Sequence, residues 1–280
     1  MDNREIILNV EKLNTSFCSD KKVVKIVKDV SFQLKRGKTL AVVGESGCGK
    51  SVTMNSIMRF TGKNAIVEAK SIQYNALKDG KIKEYHLESI KEPNGPEMRS
   101  LRGPDMSMVF QDPMSSLNPV YKVGDQVAEG LLQHNKGMTK QQAREKVLEM
   151  FKKLGIPDPE ERIDCFPHQF SGGMKQRVAI AKGMALGSKI ILMDEPFAAL
   201  DAMTRKQLQS ELLKLKQKEK ITVIFITHNI QEAISLGNRI MIMSKEGTIK
   251  EHLYNTIEKP VTPASEGYAK LWEHLNNQLT

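Results

Sequence analysis

Four residues at fixed spacing follow an apolar run near residue 40 and could bind phosphate. Gly44, Gly49, Lys50 and Ser51 stand in the order G-x-x-x-x-G-K-S within VVGESGCGKS. The two glycines let the backbone turn back on itself, so that successive N–H groups point at phosphate oxygens. The lysine ammonium can reach the β- and γ-phosphates, and the serine hydroxyl can ligate Mg²⁺. The segment therefore predicts a site for the phosphates of a nucleotide.

The residues around this loop form the strand, loop and helix arrangement that the motif requires. TLAVV before the loop reads as a short buried strand, and SVTMNSIMRF after it can begin a helix. We expect the whole loop and the first residues of the helix to bind the nucleotide. These residues are Gly44, Glu45, Ser46, Gly47, Cys48, Gly49, Lys50, Ser51 and Val52.

An acidic pair follows another apolar run, IILM. In isolation Asp194 and Glu195 could be an ordinary acidic turn after a strand. In a chain with a phosphate-binding loop they favour catalysis, because Asp194 can hold Mg²⁺, usually through water. Glu195 can then polarise an attacking water as a general base.

Length, composition and charge limit the classes of protein. The 280 residues suit one large domain or two modest ones, and 40% hydrophobic residues are ordinary for a globular protein. The apolar runs are shorter than the roughly 18 to 20 residues of a membrane helix, and the first residues do not resemble a signal peptide. We therefore expect a cytosolic chain. The net charge is +9, but the lysines are scattered among acids and only 5% of residues are aromatic, which does not favour a nucleic-acid partner.

The hydrophobic patterns predict an α/β fold. ILNVEKLNTSF and KIVKDVSFQLKRG alternate like antiparallel strands, whereas KIILMDE, ITVIFITH and RIMIMS read as buried strands separated by helices. Such strands argue for a mainly parallel sheet covered on both faces. Residues 62–104 look like a surface excursion with short strand-like pieces such as SIQYNAL. The pattern turns helical from Tyr121, and Thr139 and Gln142 form a capping box for one of the helices.

A small segment, FSGGMKQRVAIA, places exposed amides at a helix start. Ser171, Gly172 and Gly173 precede the helical run, so free N–H groups and the positive end of a helix dipole coincide there. Alone, the segment would be read as an ordinary serine cap.

Five segments in order give the chain a family resemblance: GESGCGKS, MVFQDPMSSLNP, PHQFSGGMKQR, DEP and ITHN. Together they resemble the ATP-binding subunits of ABC transporters, and more narrowly those of the peptide/nickel importer family, from about Val10 to Pro260. The resemblance implies a RecA-like P-loop NTPase core with a mainly parallel sheet, an N-terminal antiparallel β subdomain and an inserted ABC helical subdomain at about 112–172. We expect the cassette to cover residues 1–245, with a tail at 246–280.

The resemblance also implies roles for single residues. Gln111 resembles the glutamine that links the metal and the γ-phosphate to the helical subdomain, and His228 resembles the histidine that contacts the γ-phosphate. The expected Mg²⁺ ligands are Ser51, Gln111 and Asp194. Phe17 occupies the place of an aromatic ring that stacks on adenine, although it could equally be a core residue.

Other residues resemble those that act across a dimer of cassettes. In the family, two subunits pack head to tail, so that the signature helix of one caps the γ-phosphate held by the other. The signature residues here are Ser171, Gly172, Gly173 and Met174. Leu200 and Asp201 resemble the D-loop at the dimer interface. Phe197 and Asn229 depart from residues common in the subfamily, but neither removes a catalytic group.

The function that the resemblance implies is an ATP-hydrolysing motor for import of a small solute, either a peptide or a nickel or other metal chelate. ATP and Mg²⁺ would be bound. The implied partners are two transmembrane permease subunits, a second ATP-binding subunit, identical or homologous, and an extracytoplasmic solute-binding protein, with no nucleic acid. The implied location is the cytoplasmic face of the bacterial inner membrane. Two other classes stay open: a soluble ABC-type ATPase acting on ribosomes or DNA, and a phosphate-loop kinase.

Two further expectations concern Cys48 and the tail. The position of Cys48 beside Lys50 and a helix N-terminus favours a thiolate that reacts with maleimide, unless the side chain is shielded. Tyr268, Leu271, Trp272 and Leu275 recur at helical spacing and predict a short amphipathic helix. Its apolar face would dock on the cassette itself or on a partner subunit.

Overall fold

A computed structural model describes residues 5–19, 22–78, 80–112, 116–198 and 200–279. Residues 113–115 of the MVFQDPMSSLNP segment, and residue 199, beside the D-loop, lie outside this description. The strands are β1 (Ile6–Ser19), β2 (Lys22–Lys35), β3 (Thr39–Gly44), β4 (Ala65–Glu68), β5 (Ser71–Lys78), β6 (Lys81–His86), β7 (Met106–Val109), β8 (Ile190–Asp194), β9 (Thr222–Thr227), β10 (Arg239–Met243) and β11 (Ile249–Tyr254).

Helices of both α and 3-10 type separate these strands. The α-helices are α1 (Lys50–Ile57), α2 (Pro96–Leu101), α3 (Val123–His134), α4 (Lys140–Lys153), α5 (Pro159–Arg162), α6 (Gly172–Met184), α7 (Ala202–Glu219), α8 (Ile230–Leu236) and α9 (Tyr268–Leu279). Short 3-10 helices cover Leu87–Ser89 and Pro167–Gln169. The chain divides into two compact units, one formed by Met1–Arg99 with Thr222–Thr280 and the other by Ser100–Ile221.

An antiparallel sheet in the first unit confirms the predicted N-terminal β strands. β1 pairs with β2 along one edge and with β4 and β5 along the other, and β6 pairs with β5. The segment 62–104 is therefore not a surface excursion throughout. It supplies three strands, and Ile72, Tyr74 and Ala76 of β5 are buried in the core. The strand-like piece SIQYNAL is β5, and its pairing with the distant β1 places it in the core.

Parallel strands in the first unit lead to the phosphate-binding loop. The order is β11, β10, β3 and β9, in which β10, β3 and β9 are parallel and β11 is antiparallel. All six residues of β3 and all six of β9 are buried. Strands covered on both faces need no polar alternation, which explains the continuous apolar runs in the sequence.

The second unit combines a parallel strand pair with packed helices. β7 pairs with β8 in parallel. The capping box at the start of α4 is present, since Thr139 and Gln142 each accept a hydrogen bond from the backbone of the other. Ala143, Val147 and Phe151 form the buried face of α4, as the helical spacing predicts.

No helix within the described ranges combines the length and the apolarity that a bilayer-spanning segment needs.

Candidate functional site

The phosphate-binding loop lies between the end of β3 and the start of α1. A Cβ atom on Gly44 would lie 2.7 Å from the carbonyl oxygen of Met243 and 2.8 Å from Cys48 Sγ, so a larger residue does not fit. Gly49 immediately precedes α1 with φ of 98°, in the left-handed region that favours glycine. The two fixed glycines of the motif are thus required, one by close approach and the other by its backbone angle.

Lys50 points into this loop. Its side chain is buried, with the residue 6% exposed. Nζ donates hydrogen bonds to the carbonyl oxygens of Gly44, at 2.8 Å, and Glu45, at 2.7 Å, and lies 3.8 Å from Cys48 Sγ. A buried ammonium needs such partners, because desolvation of an unpaired charge is costly. The loop therefore holds a positive charge among its backbone groups, while Ser46 and Gly47 at its tip are exposed.

Cys48 differs from the expectation of a reactive thiol. It is a free cysteine that is only 2% exposed, packed beneath Gly44 and Lys50. Reaction with maleimide requires an accessible sulfur as well as a thiolate. Burial by the loop itself, which the local sequence does not reveal, is the physical reason for the difference.

A contact that the sequence did not indicate joins the loop to the turn after β10. The Glu45 carboxylate forms an ion pair of 2.8 Å with Lys245 Nζ. This exposed pair links residues 200 positions apart, so no local pattern could have predicted it. The ion pair raises the pKa of Lys245, chiefly through its hydrogen bond to Glu45.

His228 lies in the first unit, at the junction between β9 and α8, and is exposed. Thr227 before it is buried, and its hydroxyl donates to Glu232 Oε2 at 2.5 Å. Asn229 after it caps α8, because its side-chain oxygen accepts from the N–H groups of Gln231 and Glu232. Asparagine and aspartate cap helices about equally well, so the departure at Asn229 preserves the local structure.

The second unit brings the acidic pair and the candidate glutamine together. Asp194 is the last residue of β8 and is 7% exposed. Glu195 follows it with φ of 44°, an uncommon backbone region for a residue with a side chain. Gln111 Nε2 donates to Glu195 Oε2 at 3.3 Å. Two polar groups predicted to act at one site are therefore in direct contact within this unit.

The signature segment forms an exposed helix start in the same unit. Ser171 caps α6, and its hydroxyl accepts from the N–H of Met174 at 3.3 Å. Ser171 and Gly172 are exposed, and a Cβ on Gly172 would meet no heavy atom within 4 Å. A Cβ on Gly173, in contrast, would lie 3.0 Å from Thr204 Cγ2. The first two residues of the segment are thus exposed, while the third packs on α7.

The D-loop residues precede α7. Leu200 is buried, and Asp201 caps the helix by accepting from the N–H groups of Met203 and Thr204, both at 3.0 Å. These backbone hydrogen bonds, above all that of Thr204, lower the pKa of Asp201. Asp201 is thus a charged helix cap in this chain, whatever else it contacts.

Phe17 is a half-buried residue of β1 in the first unit. It pairs with Val24 of β2 on one side and with Ala65 of β4 on the other. This position is compatible with either alternative left open by the sequence, a stacking ring or a residue of the sheet.

Comparisons with known proteins agree with the family resemblance of the sequence. A family model described as ABC transporter matches residues 27–198. The chain is 41% identical over 268 residues to the dipeptide transport ATP-binding protein of Bacillus subtilis, covering 94% of this chain and 76% of that protein. It is 38% identical over 256 residues to the protein of the same description in Lactococcus lactis, covering 90% and 70%.

A solved structure resembles the fold over most of its length. It is a dimeric, post-hydrolysis state of an ATP-binding cassette bound to ADP and Pi. The TM-score is 0.74 at 25% sequence identity, and the match covers 88% of this chain and 98% of that one.

Proposed function

The chain belongs to the ABC transporter family, and from this membership we propose that it is the ATP-hydrolysing motor subunit of a peptide importer. One observation above all supports the proposal: the phosphate-binding loop, the signature helix, the acidic strand end and the histidine follow one another in this order in one chain. The names of the two relatives specify dipeptide transport, which favours a peptide over a nickel chelate as the solute.

ATP binding is assigned to the loop at Gly44–Val52 and to Phe17. Lys50 would exchange its two carbonyl partners for oxygens of the β- and γ-phosphates, so its charge is already held at the loop before the phosphates bind. Backbone N–H groups around Gly47 and Gly49 would hold the remaining oxygens. Phe17 would stack on the adenine ring.

Mg²⁺ is assigned to Ser51, Gln111 and Asp194. The donor set fits the ion, because a hydroxyl, an amide oxygen and a carboxylate are the hard oxygen ligands that Mg²⁺ prefers. Gln111 uses its Nε2 on Glu195, so its amide oxygen is the atom offered to a cation. When bound, the ion neutralises charge on the phosphate oxygens.

Hydrolysis is assigned to Glu195 with His228. Glu195 accepts a proton from the attacking water as the water oxygen bonds to the γ-phosphorus, and the bond from that phosphorus to the bridging oxygen breaks to leave ADP. Gln111 orients the Glu195 carboxylate through its hydrogen bond. His228 donates to the γ-phosphate and holds it in line for attack.

A second ATP-binding subunit is part of the proposal. The helix start at Ser171–Met174 would cap the γ-phosphate bound by the partner, where a preorganised helix N-terminus stabilises the charge that develops during transfer. Leu200 and Asp201 would lie at the same interface. Two transmembrane permease subunits and an extracytoplasmic solute-binding protein would complete a transporter, with this chain at the cytoplasmic face of the membrane.

Mixing two inactive variants tests the two-chain site if the motor is a homodimer. Lys50→Ala removes the phosphate-binding ammonium, and Ser171→Arg places bulk and charge at the cap, so each homodimer should be inactive. In a mixed dimer both defects fall on one composite site and the other site is intact, so hydrolysis should recover. Mixed dimers that form, bind MgATP and remain inactive would contradict either the cross-chain geometry or the independence of the two sites. Counting trapped nucleotides decides between these two failures.

Reconstitution in vesicles tests the importer function. ATP hydrolysis by the complex with its permeases should rise when the solute-binding protein carries a dipeptide, and dipeptide should accumulate inside the vesicles. The Lys50→Ala complex should do neither. Hydrolysis that responds to ribosomes or DNA, or transfer of phosphate to an acceptor other than water, would contradict the proposal.

A further inference from the structure

The C-terminal part of the chain holds α8, the short helix that begins just after His228. We propose that Asn255 and Lys259 are positioning residues for ATP hydrolysis: they fix the C-terminal end of α8 and thereby hold His228 at its N-terminal end. The inference rests on the proposed contact of His228 with the γ-phosphate. The inference gives a function to the segment after β11, which contains Asn255 and Lys259.

Hydrogen bonds from two side chains satisfy the last carbonyl groups of α8. Lys259 Nζ donates to Ser235 O at 2.8 Å and to Gly237 O at 3.1 Å. Asn255 Nδ2 donates to Ile234 O at 2.6 Å and to Gly237 O at 2.9 Å. The last carbonyls of a helix have no partner within the helix, and a cation there also complements the helix dipole. Both donors come from beyond β11, about 20 residues further along the chain.

The length of α8 makes these bonds consequential. The helix has seven residues, and an isolated helix of that length is not stable in water. Its position is therefore set by what it contacts. Asn255 is only 9% exposed, so its amide bonds to α8 are shielded from competing water.

The same end of α8 lies against the strand that leads into the phosphate-binding loop. A Cβ on Gly237 would lie 3.0 Å from the Cβ of Ala41 in β3. The Asn238 side chain accepts from the N–H of Thr39 at 2.8 Å, and the N–H of Asn238 donates to Thr39 O at 2.9 Å. Asn255 and Lys259, together called the clamp below, thus bind the end of α8 that already contacts β3.

The opposite end of α8 transmits its position to His228. Asn229 caps the helix, and Glu232 in its first turn accepts from the buried Thr227 hydroxyl. In the sequence His228 lies between Thr227 and Asn229, and both of these residues are fixed by the hydrogen bonds just described. Because α8 is less than two turns long, a shift at Ser235–Gly237 moves the cap as well, and with it the imidazole.

The tail helix anchors the clamp. α9 packs against α8 and buries Tyr268 and Leu275, so this part of the predicted apolar face docks on the chain's own first unit. Of the other two predicted residues, Leu271 is half-buried and Trp272 is exposed. His274 Nε2 contacts Glu251 Oε2 of β11 at 2.8 Å, and Lys250 Nζ donates to Gln278 O at 2.8 Å. These contacts hold both ends of the segment that contains Lys259.

Lys259→Met tests the inference against Lys270→Met, an identical change at an exposed lysine of α9. In the complete transporter, Lys259→Met should lower kcat for ATP hydrolysis by about tenfold, less than the roughly hundredfold loss that a 1 Å misplacement of a reacting group can cause. KM for ATP should stay unchanged. Lys259→Arg should restore much of the loss because it keeps the charge. Lys270→Met should behave like the parent.

A double-mutant cycle separates positioning of His228 from a general structural effect. If Lys259 acts through His228, Lys259→Met should add little to the loss caused by His228→Ala. If the loss of kcat in the double variant equals the combined losses of the two single variants, the inference is overturned. If His228→Ala itself leaves kcat unchanged, the failure lies with the proposed role of His228 and not with the clamp.

The NMR signal of the His228 imidazole in the full chain gives a readout independent of activity. It can be assigned by its absence in His228→Gln. Lys259→Met and the milder Asn255→Ser should each shift it, whereas Lys270→Met should not. An unshifted His228 signal in both clamp variants would overturn the inference even if one of them folded poorly.

Discussion

Gln111 donates a hydrogen bond to Glu195, from Nε2 to Oε2 at 3.3 Å, across 84 positions of the sequence. The glutamine follows β7 and the glutamate follows β8, and these two strands are parallel neighbours. Neighbouring parallel strands deliver their C-terminal residues to the same edge of a sheet, where ligands bind in open α/β folds. A displacement of Gln111 would therefore change the surroundings of the proposed general base directly.

Replacing Gln111 should affect turnover more than ATP affinity. Gln111→Ala removes the donor to Glu195, and we expect kcat to fall by about tenfold, the equivalent in rate of one hydrogen bond to a charged group. Gln111→Glu should be worse, because two carboxylates would then face each other. ATPase assays with ATP-binding measurements check this, with the exposed Gln133→Ala as control. A change in ATP affinity alone would contradict the expectation.

Arg177, which is buried, and Glu211, which is half-buried, form an ion pair between α6 and α7. Arg177 Nη1 donates to Glu211 Oε2 at 2.5 Å and also to the carbonyl of Leu154 at the end of α4. Removing one partner of such a pair leaves an uncompensated charge, so Arg177→Met should destabilise the protein by about 3–5 kcal/mol. The double variant Arg177→Met with Glu211→Leu should recover much of this loss in urea unfolding. If the single and double variants lose the same free energy of unfolding, the ion pair between Arg177 and Glu211 does not explain the effect.

Asn229 offers a test of the cap beside His228. Asn229→Ala removes the side-chain oxygen that accepts from Gln231 and Glu232, and it should cost about 0.5–2 kcal/mol of stability. Asn229→Asp, which can make the same bonds, should retain stability and hydrolysis. Thermal unfolding and ATPase assays of the two variants check these expectations. A destabilised aspartate variant would mean that the amide has a role beyond the cap.

The thiols should react in an order set by their exposure. Cys18 and Cys165 are partly exposed and Cys48 is buried, so maleimide should label the first two rapidly in the folded protein and Cys48 only after unfolding. Cys48→Ser should therefore leave the fast phase unchanged. If the Cys48→Ser variant has one fewer rapidly labelled thiol than the parent, Cys48 is accessible in the folded protein.

The sequence was most informative where function depends on local geometry. The spacing of Gly44, Gly49 and Lys50 predicted a strand, a loop and a helix, because a phosphate-binding loop is made from adjacent residues. Thr139 and Gln142 predicted the start of α4 in the same way. The continuous apolar runs of β3, β8 and β9 predicted buried strands and the α/β class.

Features that depend on distant parts of the chain could not be predicted. The burial of Cys48 follows from how the loop folds over it, and the Glu45–Lys245 ion pair joins residues from two strand ends. The bonds of Asn255 and Lys259 to α8 leave no local pattern, since any polar residue after a strand could be exposed. SIQYNAL indicated a strand, but the burial of Ile72 and Tyr74 in β5 depends on pairing with β1, which lies far away in the sequence.

The proposed role of Glu195 as general base tests the central claim most directly, because the proposed hydrolysis mechanism depends on it. Glu195→Gln keeps the size of the side chain and removes the base. In the complete transporter it should bind MgATP like the parent and hydrolyse it about 10² to 10⁴ times more slowly. The measurement is the steady-state ATPase rate together with the amount of ATP retained per complex. Retention of ATP with this loss of turnover is the predicted result, and hydrolysis near the parent rate would contradict the account.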